Sequence, residues 1–339
     1  MTWLGIAVFI KFARVLLSGL PAMFRLKVIR LKMFRLSAIV FLVVINACVA
    51  GSAEPSRLLV LMSDFGESER FVASMKGVAV GVDRGIQIHD LTHQIEPFNI
   101  WQASYMLAGA IDYWPEGTVF VCVVDPGVGT KRRSVVVRTR SGHYVVTPDN
   151  GTLTLIAERQ GIDGLREIDE KANRRPGSEA SHTFHGRDVY AYTGARLAAG
   201  VIDFEGVGPP LDSTVLKFQY QRAQAVSDST VIGNVTHVEK PFGNIVTNIP
   251  QSLVDEMGIS PGNQSKLVVE IAQAGNKVFA ENLPYMKSFG FVEMGEPLVY
   301  VDSEQIIGLA INNGDFAEHF SITAGADWTI RLRREIPPE

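Results

Sequence analysis

Two short, unbroken apolar runs, residues 58–62 and 119–124, constrain the fold of this chain more than any other feature. Continuous apolar runs of this length are typical of parallel strands that are buried on both faces. A helical stretch at residues 70–80, a strand at 86–91 and a helix at 100–114 separate the two runs. Because strands that alternate with helices are joined by crossovers, the sequence predicts a Rossmann-like α/β domain with a parallel-rich sheet.

The character of the sequence changes at a link rich in glycine and proline, residues 206–212. Beyond this link the apolar segments are short and strand-like, and turn residues separate them. We expect strands at residues 229–238, 266–272, 298–301, 306–312 and 328–332, with a hairpin turn at 302–305. The chain is therefore predicted to contain an α/β domain at residues 57–212 and a small all-β, barrel-like domain at residues 222–335.

The N-terminal segment has the features of a targeting signal. Residues 1–35 contain lysines and arginines but no acidic residue, and an apolar run at residues 37–53 follows them. That run ends in small residues and is shorter than the roughly 20 residues that a membrane-spanning helix needs. Residues 1–53 therefore predict an N-terminal extension with a secretory signal, and export to the periplasm or the cell exterior. Translation from Met33, an uncleaved membrane anchor and a lipoprotein modified at Cys48 remain open alternatives.

Charge and cysteine content limit the classes of partner and linkage. The formal net charge of -4 does not favour a nucleic-acid partner, since such proteins usually carry a basic excess. Cys48 lies in the predicted signal, so an exported chain would keep only Cys122 and would have no internal disulfide. Cys122 lies within an apolar run, which indicates a buried structural thiol.

Three polar motifs follow predicted strands: SDFG at residues 63–66, DPGVGT at 125–130 and TPDNG at 147–151. Ligands bind beyond the carboxyl ends of strands in open α/β sheets, so these motifs predict a site there. Each motif is also rich in turn-forming residues, and each one taken alone is better explained as a turn.

A fourth motif, TFHGRD at residues 183–188, combines a histidine, an arginine and a carboxylate ahead of a helix predicted at 189–199. Asp188 is explained as the N-cap of that helix, and Arg187 as its ion-pair partner. Capping and ion pairing do not account for His185, so we consider His185 a candidate catalytic residue.

These motifs belong to a longer ordered set: LMSDFG, EPFNIWQASYML, WPEGTVFVCVVDPGVGT, TPDNG, TFHGRD, PFGNIVTNI and INNGDFAEHF. With this set the chain resembles the SAM hydroxide adenosyltransferase family, which hydrolyses S-adenosyl-L-methionine (SAM) to adenosine and L-methionine. That family is related to the fluorinating and chlorinating adenosyltransferases. The resemblance extends over residues 58–333. It implies an α/β domain followed by a β domain, a homotrimer with the site between subunits, SAM as the substrate and no cofactor.

The resemblance also implies which residues act on water. An aspartate, an arginine and a histidine do so in the family, and they correspond here to Asp125, Arg132 and His185. Arg133 is the adjacent alternative for the arginine. The residue types suit the reaction, because the leaving group is a neutral thioether that needs no acid and the barrier lies in presenting the nucleophile. Arg132 would favour hydroxide character, while His185 and Asp125 accept or orient protons.

The resemblance further assigns a set of substrate-binding residues. They are Asp64, Phe98, Glu239, Asn244, Ser303 and Asn313. Asp64 would accept hydrogen bonds from the ribose hydroxyls, Phe98 would pack on the nucleoside and Asn244 would reach the adenine. Glu239 would meet the methionine ammonium group, where the family usually has aspartate. Ser303 would lie near the methionine carboxylate and Asn313 near the adenine. Glu304 receives no role, because an arginine is expected at that position.

Three competing functions remain open. A metal hydrolase could use His182, His185 and Asp188, although Gly186 argues against a helix there, and we predict no metal. A secreted protein could bind SAM or a nucleoside without turnover. A halide-dependent adenosyltransferase would use a halide in place of water, which an anionic Asp125 should repel.

Overall fold

The computed structural model describes residues 56–262 and 265–335, and all of them belong to one compact unit, Pro55–Glu339. The predicted extension at residues 1–53, with its signal, Met33 and Cys48, lies outside these described residues. Export, signal cleavage and lipid attachment therefore stay predictions. Within the described part of the chain, no helix combines the length and the apolar character needed to cross a membrane.

The N-terminal half forms a seven-stranded mixed sheet with the strand order β2-β1-β3-β5-β4-β6-β7. The first four strands in this order run parallel, whereas β4 is antiparallel to both of its neighbours. The strand bounds are β1 Leu58–Ser63, β2 Gln87–Thr92, β3 Val119–Val123, β4 Ser134–Thr139, β5 Tyr144–Pro148, β6 Ile162–Glu167 and β7 Pro210–Leu211. The predicted parallel-rich α/β fold is confirmed.

Helices cover both faces of this sheet, which explains why β1 and β3 are unbroken apolar runs. Along β1, Leu59 and Leu61 belong to one core, while Val60 and Met62 belong to the core on the opposite face. The helix bounds are α1 Phe71–Val82, α2 Ile100–Ala110, α3 Thr154–Arg159 and α4 Tyr192–Ala198. Helices α1 and α4 pack on the first core, and α2 and α3 pack on the second.

Helix α4 is preceded directly by a wide π-helical turn, Gly186–Ala191. The helical segment predicted at 189–199 therefore begins at Gly186, so the expectation that Gly186 excludes a helix is wrong. Asp188 lies inside the π-turn, so its predicted N-cap role is also wrong. Arg187 does pair with Asp188, through Nε at 2.7 Å to Oδ1 and a second nitrogen at 2.7 Å to Oδ2.

The C-terminal half forms an eight-stranded antiparallel sheet with the order β12-β11-β15-β9-β10-β14-β13, and β8 pairs with β9. A parallel bridge between Tyr285 and Val299 brings the two ends together, so the sheet is nearly closed and barrel-like, as predicted. The strand bounds are β8 Gln224–Ser227, β9 Thr230–Glu239, β10 Asn244–Pro250, β11 Lys266–Gln273, β12 Asn276–Pro284, β13 Pro297–Val301, β14 Ile306–Ile311 and β15 Trp328–Arg334. Short helices α5 Gln251–Asp255 and α6 Phe316–His319 complete it.

Three side-chain contacts join α2 and the loop before it to β9 and the residue that follows it. The Trp101 indole donates a 2.9 Å hydrogen bond to the carbonyl of Thr236, and Tyr105 stacks on His237 with ring centroids 4.6 Å apart. An ion pair between Lys240 and Glu96, at 2.7 Å, borders the stack. His237, which is largely buried in the folded protein, therefore contributes to the contact between the two sheets.

We expect this contact to weaken in acid. Burial, and then Lys240, lower the pKa of His237 from its usual 6.5 to about 4, while Glu96 opposes the change. The neutral ring stabilises the fold above pH 6.5, and this contribution is lost as the pH falls toward 4. The loss amounts to about 3 kcal/mol of unfolding free energy, since one pKa unit corresponds to about 1.4 kcal/mol.

Denaturant unfolding at several pH values checks this prediction. His237→Phe keeps an aromatic ring on Tyr105 but cannot be protonated, so its stability should fall less between pH 6.5 and 4 than that of the wild type. His89→Phe, on an exposed part of β2, is the matched control and should follow the wild type. Parallel acid profiles of the wild type and His237→Phe would contradict the assignment.

Candidate active site

Three segments meet at the carboxyl edge of the parallel strands. The DPGVGT loop begins with Asp125, just after β3, and Arg132 lies shortly before the start of β4. His185 immediately precedes the π-turn Gly186–Ala191. The loop is held close to the histidine segment, because Gly129 has a φ of +76° and a Cβ there would lie 2.6 Å from the carbonyl oxygen of His182. A glycine is required at this position.

The Arg132 guanidinium joins the two other side chains. Its Nε donates to Asp125 Oδ1 at 2.8 Å, and one of its terminal nitrogens donates to Asp125 Oδ2. The same terminal nitrogen lies 3.2 Å from His185 Nδ1. The side chains are 5%, 11% and 7% exposed for Asp125, Arg132 and His185, respectively. The sequence-predicted trio therefore forms one largely buried cluster.

The adjacent Arg133 points elsewhere. It pairs with Asp149 of the TPDNG motif, whose side chain is fully buried and also accepts a 2.8 Å hydrogen bond from the backbone N–H of Leu216. The sequence leaves two candidates for the arginine of the cluster. The geometry brings Arg132, and not Arg133, to Asp125 and His185. Arg133 instead ties the end of β5 to the segment that leads into the β domain.

A second layer of polar side chains surrounds the trio, and sequence reasoning missed it. Arg174 is ion-paired with Glu170 and lies 3.3 Å from His185 Nε2. Ser134 accepts a 2.9 Å hydrogen bond from Arg132 and lies 3.2 Å from the hydroxyl of Tyr190. The spacing of Glu170 and Arg174, four residues apart, is the one signal in the sequence, and it is common on solvent-exposed surfaces.

This environment favours the neutral form of His185. Burial lowers the pKa of His185 below its ordinary value; Glu170 opposes that effect, and the positive charges of Arg132 and Arg174 reinforce it. A neutral imidazole keeps a lone pair that can accept a proton or orient a water molecule.

Asp64 lies at the end of β1, and its Oδ2 accepts a 2.9 Å hydrogen bond from the backbone N–H of Phe98. Burial raises the pKa of Asp64; the Phe98 N–H opposes this rise and the negative charge of Asp125 adds to it. Phe98 has a φ of +70°, and the residue is 70% exposed. An exposed aromatic residue in a left-handed backbone conformation is unusual.

A hydrogen-bonded chain that runs from buried Ser63 and His93 to the surface supports the strand end beside Asp64. Ser63 Oγ lies 2.7 Å from His93 Nδ1, His93 Nε2 lies 3.0 Å from Asp90, and Lys76 pairs with Asp90 at 2.5 Å. The order of groups resembles a Ser-His-Asp triad, but Ser63 is fully buried and has no access to a substrate. The chain therefore serves to fix the SDFG turn.

The remaining sequence-predicted residues line one cavity in the β domain. Its volume is about 770 Å³, and all of its lining residues lie between Glu239 and Asp315. They include Glu239, Asn244, Ser303 and Asn313. Asn244 donates to Glu239 at 2.9 Å, which orients both side chains at the cavity wall.

The PFGN turn that carries Asn244 depends on its glycine. Gly243 has a φ of +67°, and a Cβ there would overlap the carboxylate of Asp315. Asp315 in turn caps α6 by accepting a 2.7 Å hydrogen bond from the N–H of Glu318. The predicted hairpin at residues 302–305 is confirmed, and in it Asp302 accepts a 2.8 Å hydrogen bond from the N–H of Glu304.

The alternative metal site is not supported by this geometry. Both carboxylate oxygens of Asp188 accept from Arg187, and Asp188 is completely buried. Across residues 56–262 and 265–335, no group of three or more His, Cys, Asp or Glu side chains is arranged to hold a metal ion.

The fold and the site together define a class of protein. It has a parallel-rich α/β domain with a charged cluster at the strand ends, and a barrel-like β domain with a separate polar cavity. Residues 59–208 match the SAM hydroxide adenosyltransferase N-terminal domain, and residues 233–329 match the C-terminal domain of the same family. The chain belongs to the SAM hydroxide adenosyltransferase family.

Curated relatives carry two kinds of name. A protein of Methanocaldococcus jannaschii named (R)-S-adenosyl-L-methionine hydrolase is 38% identical, over 58% of this chain and 68% of its own length. A Salinispora tropica protein with the same name is 32% identical, over 80% and 96%. A fluorinase of Actinopolyspora mzabensis is 29% identical, over 82% and 97%. The crystal structure of an uncharacterized conserved protein from Thermotoga maritima superposes with a TM-score of 0.72, at 34% identity, covering 82% of this chain and all of that one.

Proposed function

We propose that this protein hydrolyses SAM to adenosine and L-methionine. The observation that carries the proposal is the contact of the Arg132 guanidinium with both Asp125 and His185, in a largely buried cluster at the carboxyl ends of the strands. Relatives named (R)-S-adenosyl-L-methionine hydrolase, of which three are more than 30% identical over most of their length, support the same reaction.

The cluster suits attack by water on the ribose 5′ carbon of SAM. The sulfonium leaves as a neutral thioether, so the enzyme needs to present and activate the nucleophile rather than to protonate the leaving group. The positive charge of Arg132 favours the hydroxide-like oxygen, and neutral His185 and the Asp125 carboxylate accept or orient its protons. A carboxylate at this place opposes the approach of a halide ion.

The substrate would be bound by both domains. Asp64 would accept hydrogen bonds from the ribose hydroxyls, and the exposed ring of Phe98 would pack on the nucleoside. In the β-domain cavity, Asn244 would reach the adenine and Glu239 the methionine ammonium group. Ser303 and Asn313 would complete that wall. A volume of about 770 Å³ is within the usual range for small-molecule sites.

The division of these residues supports a site shared between subunits of a homotrimer. The catalytic cluster, Asp64 and Phe98 lie on the α/β domain, whereas every residue that lines the cavity belongs to the β domain. Phe98 and Phe242 are both largely exposed in one chain. Apposition of one copy's cluster and another copy's cavity would cover these rings and complete the site.

Incubation of the full-length protein with SAM in water enriched in heavy oxygen tests the reaction. We expect adenosine that carries the label at its 5′ oxygen, at a rate that does not change with added chloride or fluoride. A 5′-halogenated adenosine formed only with halide would replace the proposal by halide-dependent adenosyl transfer. Unchanged SAM that co-elutes with the protein would replace it by binding without turnover.

A further inference from the structure

A continuous row of hydroxyl and carboxyl groups leads away from the catalytic cluster. The hydroxyl of Tyr190 lies 3.5 Å from Asp125 Oδ2 and 3.2 Å from Ser134 Oγ. Ser134 Oγ lies 3.2 Å from Glu170 Oε1, to which it can donate. Each link joins two groups that can pass a proton, so the row connects Asp125 to Glu170 through separations of 3.2 to 3.5 Å.

The row runs from the interior to solvent. Tyr190 is fully buried and Ser134 nearly so, and the Asp125 side chain is 5% exposed. Glu170 differs, because its side chain is 34% exposed. Its other oxygen pairs with Arg174, which holds the carboxylate in place. Glu170 is therefore the member of the row that exchanges protons with bulk water.

The second candidate proton acceptor of the cluster faces the same carboxylate. His185 Nδ1 lies 4.0 Å from Glu170 Oε1, so a small movement of either side chain brings them into hydrogen-bond contact. Asp125, through Tyr190 and Ser134, and His185, directly, thus both lead to Glu170. Glu170 therefore receives the proton whichever of the two groups accepts it first.

The proposed reaction requires such an exit. Water supplies the oxygen that bonds to the 5′ carbon, the carbon–sulfur bond breaks, and its electron pair goes to sulfur. The sulfonium charge disappears, and one proton is released for each SAM that is consumed. While substrate and products fill the site, this proton needs a route that does not pass through them.

We propose that Glu170 is the proton-exit group of the active site, an inference that rests on the proposed function. From Asp125 the proton passes to the Tyr190 oxygen as the Tyr190 O–H donates to Ser134 and the Ser134 O–H donates to Glu170. Burial raises the pKa of Tyr190 far above neutrality, so the phenol passes the proton in a concerted shift and no phenolate accumulates. Glu170 then releases the proton to solvent.

Glu170→Gln tests the route, because the amide keeps the shape of the side chain but cannot take up a proton. We expect kcat for adenosine formation to fall at least about 10-fold, with KM changed less than about twofold. Increasing concentrations of a small buffer such as imidazole should restore kcat, because a diffusing base replaces the missing acceptor. Glu170→Asp, which keeps a carboxylate, should retain more activity than Glu170→Gln. Glu205→Gln removes an exposed carboxylate away from the cluster and should match the wild type.

The outcomes separate the two proposals. A wild-type protein that releases no adenosine from SAM would overturn the proposed function. A wild type that does so, together with a Glu170→Gln protein that keeps full kcat or loses it without any response to buffer, would overturn the exit route alone. If Glu170→Gln does not fold, as judged by thermal unfolding, Glu170→Ala removes the same carboxylate, interrupts both branches and should show the same recovery with buffer. Absence of that recovery would equally contradict the route.

Discussion

Replacing Arg132 with lysine is expected to lower kcat for SAM hydrolysis by about two orders of magnitude, while the protein stays folded. Lysine keeps the positive charge beside the buried carboxylate of Asp125, so the fold retains its charge balance. It cannot, however, donate in parallel to both oxygens of Asp125 and also reach His185, as the guanidinium does. Steady-state rates of adenosine formation, together with a thermal unfolding curve, measure both parts of this expectation.

Arg133→Lys provides a matched control in the next residue. Arg133 also pairs with a buried aspartate, Asp149, but it lies outside the cluster. We expect a kcat within a few-fold of wild type and a similar loss of thermal stability in the two variants. A large loss of kcat in Arg133→Lys with little change in Arg132→Lys would reverse the assignment of the two arginines.

Two inactive variants are expected to restore activity when they assemble together. One parent carries Arg132→Lys, in the α/β domain, and the other carries Asn244→Ala, at the wall of the β-domain cavity. If each site combines the α/β domain of one copy with the β domain of another, random mixed assemblies contain some sites in which both halves are intact. Every trimer that contains both variants has one such site among its three, so about a third of wild-type activity should return in the purified mixed assemblies.

Co-expression with two different affinity tags, followed by sequential purification, isolates the mixed assemblies, and their mass by analytical ultracentrifugation gives the number of copies. The doubly substituted chain, Arg132→Lys with Asn244→Ala, is the negative control and should stay inactive when mixed with itself. Mixed assemblies of the two single variants that remain inactive would mean that each site lies within one chain. A monomeric wild type with full activity would lead to the same conclusion.

Local sequence patterns predicted the strands that form unbroken apolar runs. Strands β1 and β3 were recognisable because helices cover both of their faces, which forces unbroken apolar runs. Strands β10 and β12 were not predicted. In β12 most side chains are exposed and only Phe279 and Leu283 are fully buried, so alternation is weak and pairing with β11 decides the structure.

In the candidate site, too, local sequence patterns do not encode contacts that only the tertiary structure creates. Asp125, Arg132 and His185 were assigned through the family resemblance, and the structure brings them together. Glu170 and Arg174 carry no motif and follow no apolar periodicity. Their place beside His185 results from the path of the chain between β6 and the π-turn, which no local pattern encodes. Tertiary structure alone therefore reveals the second layer.

The π-turn that follows His185 has an evolutionary consequence. A π-turn holds one residue more than an α-turn, and such turns often occur at functional sites. The helix beyond it is fixed by close packing, since a Cβ at Gly194 would lie 2.4 Å from the side chain of Val121. Insertion or loss of one residue in the wide turn changes where the preceding side chain points while leaving that packed helix in register. Descendants of one ancestral chain can in this way exchange the side chain that faces the nucleophile without rebuilding the core.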